Sequence, residues 1–64
     1  MTLQEAKTKL KSGYAHDLLA TILDGEADVS DPDCLFRTLV LDERWDVDDA
    51  SELYSQASNL VEAE

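Results

Sequence analysis

The sequence predicts a single all-α domain, a compact bundle of about four short helices over residues 1–64. The chain is only 64 residues long, 44% of them are hydrophobic, and apolar residues recur at three- and four-residue steps. A chain of this length buries roughly 60% of the surface that its unfolded form exposes, which supports one small core and no second domain. Apolar residues at such steps line one face of an α-helix, so the core is expected to be helical.

The first helix is expected at about residues 3–12. Thr2 and Glu5 have the spacing of a capping box, in which each side chain accepts a hydrogen bond from the other residue's backbone amide. Gly13 follows as the left-handed residue that commonly ends a helix. The apolar face of this helix comprises Leu3, Ala6 and Leu10.

The second helix is expected to begin at Tyr14 and has the clearest amphipathic pattern in the chain. Gly25 follows it as the predicted stop, and residues 25–31 have the composition of a turn. The apolar face comprises Tyr14, Ala15, Leu18, Leu19, Ile22 and Leu23.

The third element is expected to begin at Pro32, because proline suits the first turn of a helix and Ser30 or Asp31 can serve as its N-cap. Its wide apolar arc fits either a buried helix or a strand at residues 35–41, which would make the fold α+β. No other segment offers a strand-like run to pair with, so the helix is favoured. The arc comprises Cys34, Leu35, Phe36, Leu39, Val40 and Leu41.

The last helix is expected after the polar segment at residues 42–49, with Asp48 or Asp49 as its N-cap. Its apolar positions again recur at three- and four-residue steps, which completes a bundle of four helices. These positions are Ala50, Leu53, Tyr54, Ala57, Leu60 and Val61.

The net charge of −10 indicates the kind of partner, since fifteen Asp and Glu residues oppose only five Lys and Arg residues. Repulsion disfavours free nucleic acid and anionic membranes, so we expect a basic protein partner. The chain has neither an apolar run of membrane-spanning length nor the apolar stretch of a signal peptide. We therefore expect a soluble cytoplasmic protein, and a monomer rather than a homodimer.

No catalytic, metal or cofactor site is expected, and hence no enzyme. The acidic loop after Asp24 has Val29 and Leu35 where a calcium-binding loop needs glycine and glutamate. One histidine and one cysteine are too few for a structural zinc site. We expect His16 on the surface of the second helix. Cys34 is expected to be a small core residue, because the neighbouring acids disfavour a reactive thiolate.

Two acidic clusters form the candidate partner-binding surface, because residues 1–12 carry a net charge of +2 and residues 13–64 carry −12. The first acidic cluster comprises Asp24, Glu26, Asp28, Asp31 and Asp33. The second acidic cluster comprises Asp42, Glu43, Asp46, Asp48, Asp49 and Glu52.

Helix capping accounts for some of these acids but not for all. Carboxylates at helix N-termini stabilise the helix, which is a sufficient role for Asp31, Asp33, Asp48, Asp49 and Glu52. Negative charge is unfavourable at a helix C-terminus, where Asp24, Asp42 and Glu43 are expected. Those three acids therefore indicate recognition of a partner.

Trp45 lies within the second cluster and is a further candidate binding residue. An aromatic side chain surrounded by acids is typical of an interface anchor. The alternative, which is favoured, is that a small domain packs its tryptophan against one end of the bundle.

The density of negative charge is comparable to that of DNA. A domain of this size is about 27 Å across, and duplex DNA carries about 16 charges over that length. In length, acidity, short-helix build and lack of a recognisable site, the chain resembles the small phage-encoded anti-CRISPR proteins of the DNA-mimic kind. The resemblance implies an inhibitor that occupies the positively charged DNA path of a type I Cascade complex, with type I-C as one candidate, or of a similar complex in a bacterial host cell. That group shares no motif, so no residue's role is carried over.

Two other interpretations of the acidity remain open. One is adaptation to high salt, against which the lysines at positions 7, 9 and 11 argue, because a salt-adapted surface tends to avoid lysine. The other is a regulatory or structural protein-interaction module whose charge maintains solubility without mimicking nucleic acid.

Overall fold

A computed structural model shows four α-helices and describes residues 1–62. The helices are α1 (Leu3–Lys9), α2 (Tyr14–Leu23), α3 (Asp31–Leu41) and α4 (Val47–Glu62). No strand occurs in this part of the chain, so the all-α prediction is confirmed and the alternative strand at residues 35–41 is wrong. Residues 63 and 64 of the predicted domain lie outside the described residues.

The first helix is shorter than predicted because the chain turns at Leu10. The capping box is present, with both amide-to-side-chain distances between Thr2 and Glu5 at 3.1 Å. The helix ends at Lys9, since Leu10 adopts φ −92° and ψ 87° and buries its side chain in the core. The Leu10 carbonyl accepts a hydrogen bond from His16 Nδ1. His16 lies on α2, as predicted, and it is half-buried, with its ring bonded to the backbone of the preceding turn.

The two glycines mark opposite ends of α2. Gly13 was expected to end α1, but it is the N-cap of α2, with φ 104° and ψ 178°, a conformation that only glycine adopts readily. Gly25 has φ 79° and follows the end of α2, as predicted. Its amide donates to the Ile22 carbonyl at 3.2 Å, and the Glu26 amide donates to the Thr21 carbonyl at 3.1 Å. This pair of bonds is the Schellman motif, which satisfies carbonyls that the helix leaves unpaired.

The third helix begins at Asp31, one residue earlier than predicted. Ser30 occupies the N-cap position, but its side chain makes no capping hydrogen bond. Asp31 does not cap the helix either, because its Oδ2 accepts a hydrogen bond from the Asp28 amide at 2.9 Å. The Asp31 side chain therefore stabilises the preceding turn.

The fourth helix also begins before its predicted cap. Val47 is its first residue, so Asp48 and Asp49 lie within the first turn and neither is the N-cap. The Asp46 carbonyl accepts the first helical hydrogen bond from the Ala50 amide at 3.0 Å. Carboxylates in the first turn still complement the positive end of the helix dipole.

The core lies where α3 packs between α2 and α4. The side chains of Leu19, Leu35, Leu39 and Leu53 have no solvent exposure. Cys34, Phe36, Val40 and Trp45 are half-buried against this core. Some residues assigned to apolar faces are exposed instead, because four short helices cover only part of each face. These are Tyr14, Leu41, Tyr54 and Leu60.

A polar contact joins the start of α1 to the middle of α4. Gln56 Oε1 accepts a hydrogen bond from the Leu3 amide at 3.2 Å, and Gln56 Nε2 donates to the Met1 carbonyl at 2.6 Å. The Met1 ammonium also forms an ion pair with Glu52. One glutamine thus satisfies an amide in the first turn of α1 that has no partner within the helix.

Candidate partner-binding surface

The predicted binding residues are largely accessible. Of the eleven acids in the two clusters, ten are exposed and Asp31 is half-buried. Trp45, the twelfth candidate, is half-buried and packs against the core. Its position at the end of the bundle agrees with the favoured interpretation of Trp45, and its role in an interface stays a prediction.

The structure does not bring the two acidic clusters into one patch. The first cluster occupies the connection between α2 and α3 and the first turn of α3, and the second occupies the connection between α3 and α4 and the start of α4. The two clusters therefore lie at opposite ends of α3. Asp33 and Asp42, their nearest members along α3, are nine residues apart, which at a rise of about 1.5 Å per residue is about 13 Å.

Few of these acids are neutralised within the protein. Among residues 1–62 there are two ion pairs, one between Asp33 and Arg37 at 3.3 Å and one between Glu52 and the Met1 ammonium. The other nine acids of the clusters make no ion pair within that part of the chain. Their charges are therefore available to a partner.

The three acids that capping does not explain lie where they were predicted. Asp24 is the C-cap of α2, Asp42 is the C-cap of α3, and Glu43 follows it. All three are exposed. The carbonyls at a helix C-terminus carry partial negative charge, so these carboxylates are destabilising where they stand. Their position opposes the stability of the isolated domain.

An open groove of about 580 Å³ lies beside Trp45 at the end of the second cluster. Arg44, on one wall, has φ 60°, a left-handed conformation that is unusual for a residue other than glycine. The Trp45 amide donates to the Leu39 carbonyl at 2.9 Å, which fixes this turn against α3. The groove is lined by Met1, Lys9, Leu10, Glu43, Arg44, Trp45, Asp46 and Asp49.

Lys9 and Met1 were not predicted to border the second cluster. They come from α1 and from the residue before it, and no sequence spacing connects them to residues 43–49. The net positive charge of residues 1–12 was the available signal, because opposite charges attract across a small domain. The positive charges of Lys9 and of the Met1 ammonium thus partly offset the negative charge of the second cluster on this side.

No protein-family model matches the chain, and no curated protein and no solved structure is significantly similar to it. Within residues 1–62, no helix has both the length and the apolar character needed to cross a membrane. The same residues contain no group of three His, Cys, Asp or Glu side chains placed to hold a metal ion.

Two ionisable groups near the N-terminus have shifted pKa values. Hydrogen bonding with Thr2, through its backbone amide first and its hydroxyl second, lowers the pKa of Glu5. The hydrogen bond with Glu52 is the main cause that raises the pKa of the Met1 ammonium, and the charges of Glu5 and Asp49 add to it. Both shifts favour the charged form of the group.

Glu5→Gln is expected to reduce the pH dependence of stability. The pKa of Glu5 is lower in the folded chain, so the carboxylate stabilises the fold above its ordinary pKa and loses this effect as the pH falls through the folded value. Glutamine keeps a hydrogen-bond acceptor but does not titrate. Urea unfolding at neutral and acidic pH should show the wild type losing more stability than the variant, with Glu62→Gln as a control. Equal pH dependence in the two variants would contradict a role for the capping box.

Proposed function

We propose that this protein is an acidic inhibitor that binds a bacterial nucleic-acid-binding complex and occupies its positively charged DNA path. A CRISPR-Cas Cascade complex is the leading target. The observation that carries the proposal is the set of nine cluster acids that make no ion pair within residues 1–62. Lys and Arg side chains already placed to bind phosphates would bind these carboxylates instead.

The dimensions of the molecule support a place in a DNA path. Its longest axis is 30 Å, and duplex DNA of that length carries about 18 charges. Residues 13–64 carry a net charge of −12, which is of the same order. With about 13 Å between their nearest members along α3, the two acidic clusters would contact two separate groups of cations along the path.

The proposal includes a cytoplasmic location in a bacterial host and action as a monomer by binding alone. The acids at helix C-termini favour it over a regulatory module whose charge only maintains solubility. Acids needed only for solubility can stand anywhere on the surface, whereas three of the cluster acids stand where they oppose the helix dipole.

A DNA-binding assay with purified type I-C Cascade tests the proposal. Cascade incubated with the protein before its target duplex is added should fail to form the DNA complex in a gel-shift experiment. The protein should have a smaller effect when it is added after the duplex, because the path is then occupied. Undiminished duplex binding at saturating protein would exclude this target, and the same assay on other type I complexes would follow.

Salt is expected to weaken binding to the complex mainly through a slower association rate. Electrostatic attraction is screened over about 8 Å at physiological ionic strength, whereas contacts already formed are screened less. Surface plasmon resonance at several salt concentrations separates the association and dissociation rates. A rate of association that does not change with salt would contradict recognition through the acidic clusters.

Circular dichroism of the isolated protein in low-salt buffer tests the alternative that its acidity is an adaptation to high salt. A salt-adapted protein loses helicity in low-salt buffer, where its carboxylates repel one another without screening. We expect the helicity of this protein to persist there.

A further inference from the structure

Arg44 has a backbone conformation that favours glycine. Three residues among positions 1–62 have a positive φ, and the other two are Gly13 and Gly25. Arg44, with φ 60°, follows the end of α3, and the hydrogen bond from the Trp45 amide to the Leu39 carbonyl holds the turn in place. A side chain with a Cβ makes this conformation costly, so the chain accepts a loss of stability at Arg44.

The dipole of α3 does not explain why an arginine stands at this position. A cation near a helix C-terminus is favourable, but it would be equally favourable in the last turn of the helix, where the backbone is unstrained. The last turn of α3 contains no basic residue. Residues held in strained conformations are concentrated at binding sites, so the Arg44 side chain is a candidate for a contact with the partner.

The Arg44 side chain is available for such a contact. It is exposed, and neither of the two ion pairs among residues 1–62 involves it, although three carboxylates line the same groove beside Trp45. Lys9, which also lines this groove, is likewise exposed and makes no ion pair in that part of the chain. Guanidinium and ammonium groups only donate hydrogen bonds, so a ligand shared by the two side chains must supply acceptors.

We infer that Arg44 and Lys9 bind the side chain of an aspartate or glutamate on the partner protein, in the groove beside Trp45. A carboxylate is a planar acceptor that arginine binds through two parallel hydrogen bonds. Charge selects this occupant over two others. The eleven acids of the clusters would repel the phosphates of a nucleic acid, and a second copy of the chain carries −10. A single carboxylate on a basic protein is compatible with both clusters.

This inference rests on the proposed preference for a basic partner and adds to it one contact of opposite polarity. Attraction between the acidic clusters and cations acts over a distance and tolerates displacement along the DNA path. A pair of arginine and carboxylate requires a defined geometry. The contact would therefore fix the register of the two acidic clusters along the path.

Arg44→Gln tests the inference, because general attraction and a specific contact predict opposite results. The substitution makes the net charge of −10 more negative by one unit, so general attraction to a basic path would strengthen inhibition. We expect instead about tenfold weaker inhibition in the Cascade gel shift, since a hydrogen-bonded charge pair contributes on that scale. Arg44→Lys should weaken inhibition about threefold, because lysine keeps the charge but not the paired hydrogen bonds.

Lys11→Gln is the matched control, because it changes the charge by the same amount at an exposed position outside the groove. Its inhibition should equal or exceed that of the wild type. Calorimetric melting checks that each variant is folded, and it also measures the cost of the backbone conformation without any target. Arg44→Gly should melt about 2–6 °C higher than Arg44→Gln, since glycine has no Cβ.

Three outcomes would overturn the inference and leave the DNA-path proposal intact. The first is inhibition by Arg44→Gln that equals or exceeds that of an active wild type. The second is a melting temperature of Arg44→Gly below that of Arg44→Gln, which would remove the backbone cost. The third is binding of a labelled single-stranded oligonucleotide by the wild type but not by Arg44→Gln, which would identify phosphate as the ligand. Absence of inhibition by the wild type across type I complexes would instead overturn the proposed function and, with it, the partner that this inference requires.

Discussion

Asp24→Lys, Asp42→Lys and Glu43→Lys in one chain are expected to weaken binding to the target by about 10²–10³-fold and to raise the melting temperature. The three acids are exposed at helix C-termini, where the carbonyls carry partial negative charge. A cation there is favourable by about 0.3–1 kcal/mol, so each reversal removes a destabilising interaction. The same reversals place like charges against a basic partner. Binding and stability should therefore change in opposite directions.

A charge-matched control separates position from net charge. Asp42→Lys with Glu43→Lys changes the charge by the same amount as Asp17→Lys with Glu62→Lys, and the latter acids are exposed but outside both clusters. The Cascade gel shift should show that the first pair loses inhibition and that the second pair retains it. Calorimetric melting of both variants checks that each remains folded. If the triple variant inhibits as well as the wild type, the acidic surface serves hydration only. Recognition must then be sought around Trp45 or on the side of Lys7, Lys9 and Lys11.

Leu39→Ala is expected to lower the free energy of unfolding by about 2–5 kcal/mol. The Leu39 side chain has no solvent exposure and lies in the core between neighbouring helices. Truncation of a buried leucine costs about 2–5 kcal/mol because it removes apolar contacts and leaves a cavity. A 64-residue domain has a total stability of only about 3–10 kcal/mol. A single cavity can therefore remove most of that stability.

Leu41→Ala is the matched control, because this leucine is on the same helix but 71% exposed. Its removal should change the free energy of unfolding by less than about 0.5 kcal/mol. Urea unfolding followed by circular dichroism measures both variants. Similar stabilities for the two would contradict the assignment of α3's buried face. Any loss of inhibition by Leu39→Ala should accompany a loss of helicity, unlike the loss caused by the charge-reversal variant.

Several features of the fold followed from residues close together in sequence. The capping box at Thr2 and Glu5 and the left-handed stop at Gly25 depend on contacts within five residues, and both were predicted. The start of α4 was misplaced by two or three positions, because Asp46, Asp48 and Asp49 are all suitable near a helix N-terminus. Composition alone does not distinguish among such neighbours.

Other features required knowledge of how the helices pack. The end of α1 at Lys9 is accompanied by a bond between His16 and the Leu10 carbonyl, which requires α2 to fold back against α1. The role of Gly13 as an N-cap follows from the same turn. Periodicity alone gave no basis for choosing helix over strand at residues 35–41, because a wide apolar arc fits both.

The candidate surface likewise has features that the sequence predicts and features that only the packing of the helices determines. The acids themselves are read directly from the sequence. Their exposure was expected, because charged side chains remain hydrated unless they are paired. Their separation into two ends of α3 was not expected, because it depends on the direction in which α3 runs between its neighbours. The contact between Phe36 and Tyr54 was also beyond sequence reasoning, because the two rings meet across two helices.

The sequence by itself determined the helical class, the capping box, the glycine stop after α2 and the acidic charge, because these depend on composition and on neighbours within one or two turns. The tertiary structure alone decided which apolar side chains are covered and which charges meet. Gln56 bonds to Met1 across 55 positions. The Tyr54 ring packs edge to face with Phe36 and is still 40% exposed. Four helices of this length cannot cover every apolar face, and the geometry of their packing determines which faces remain open to a partner.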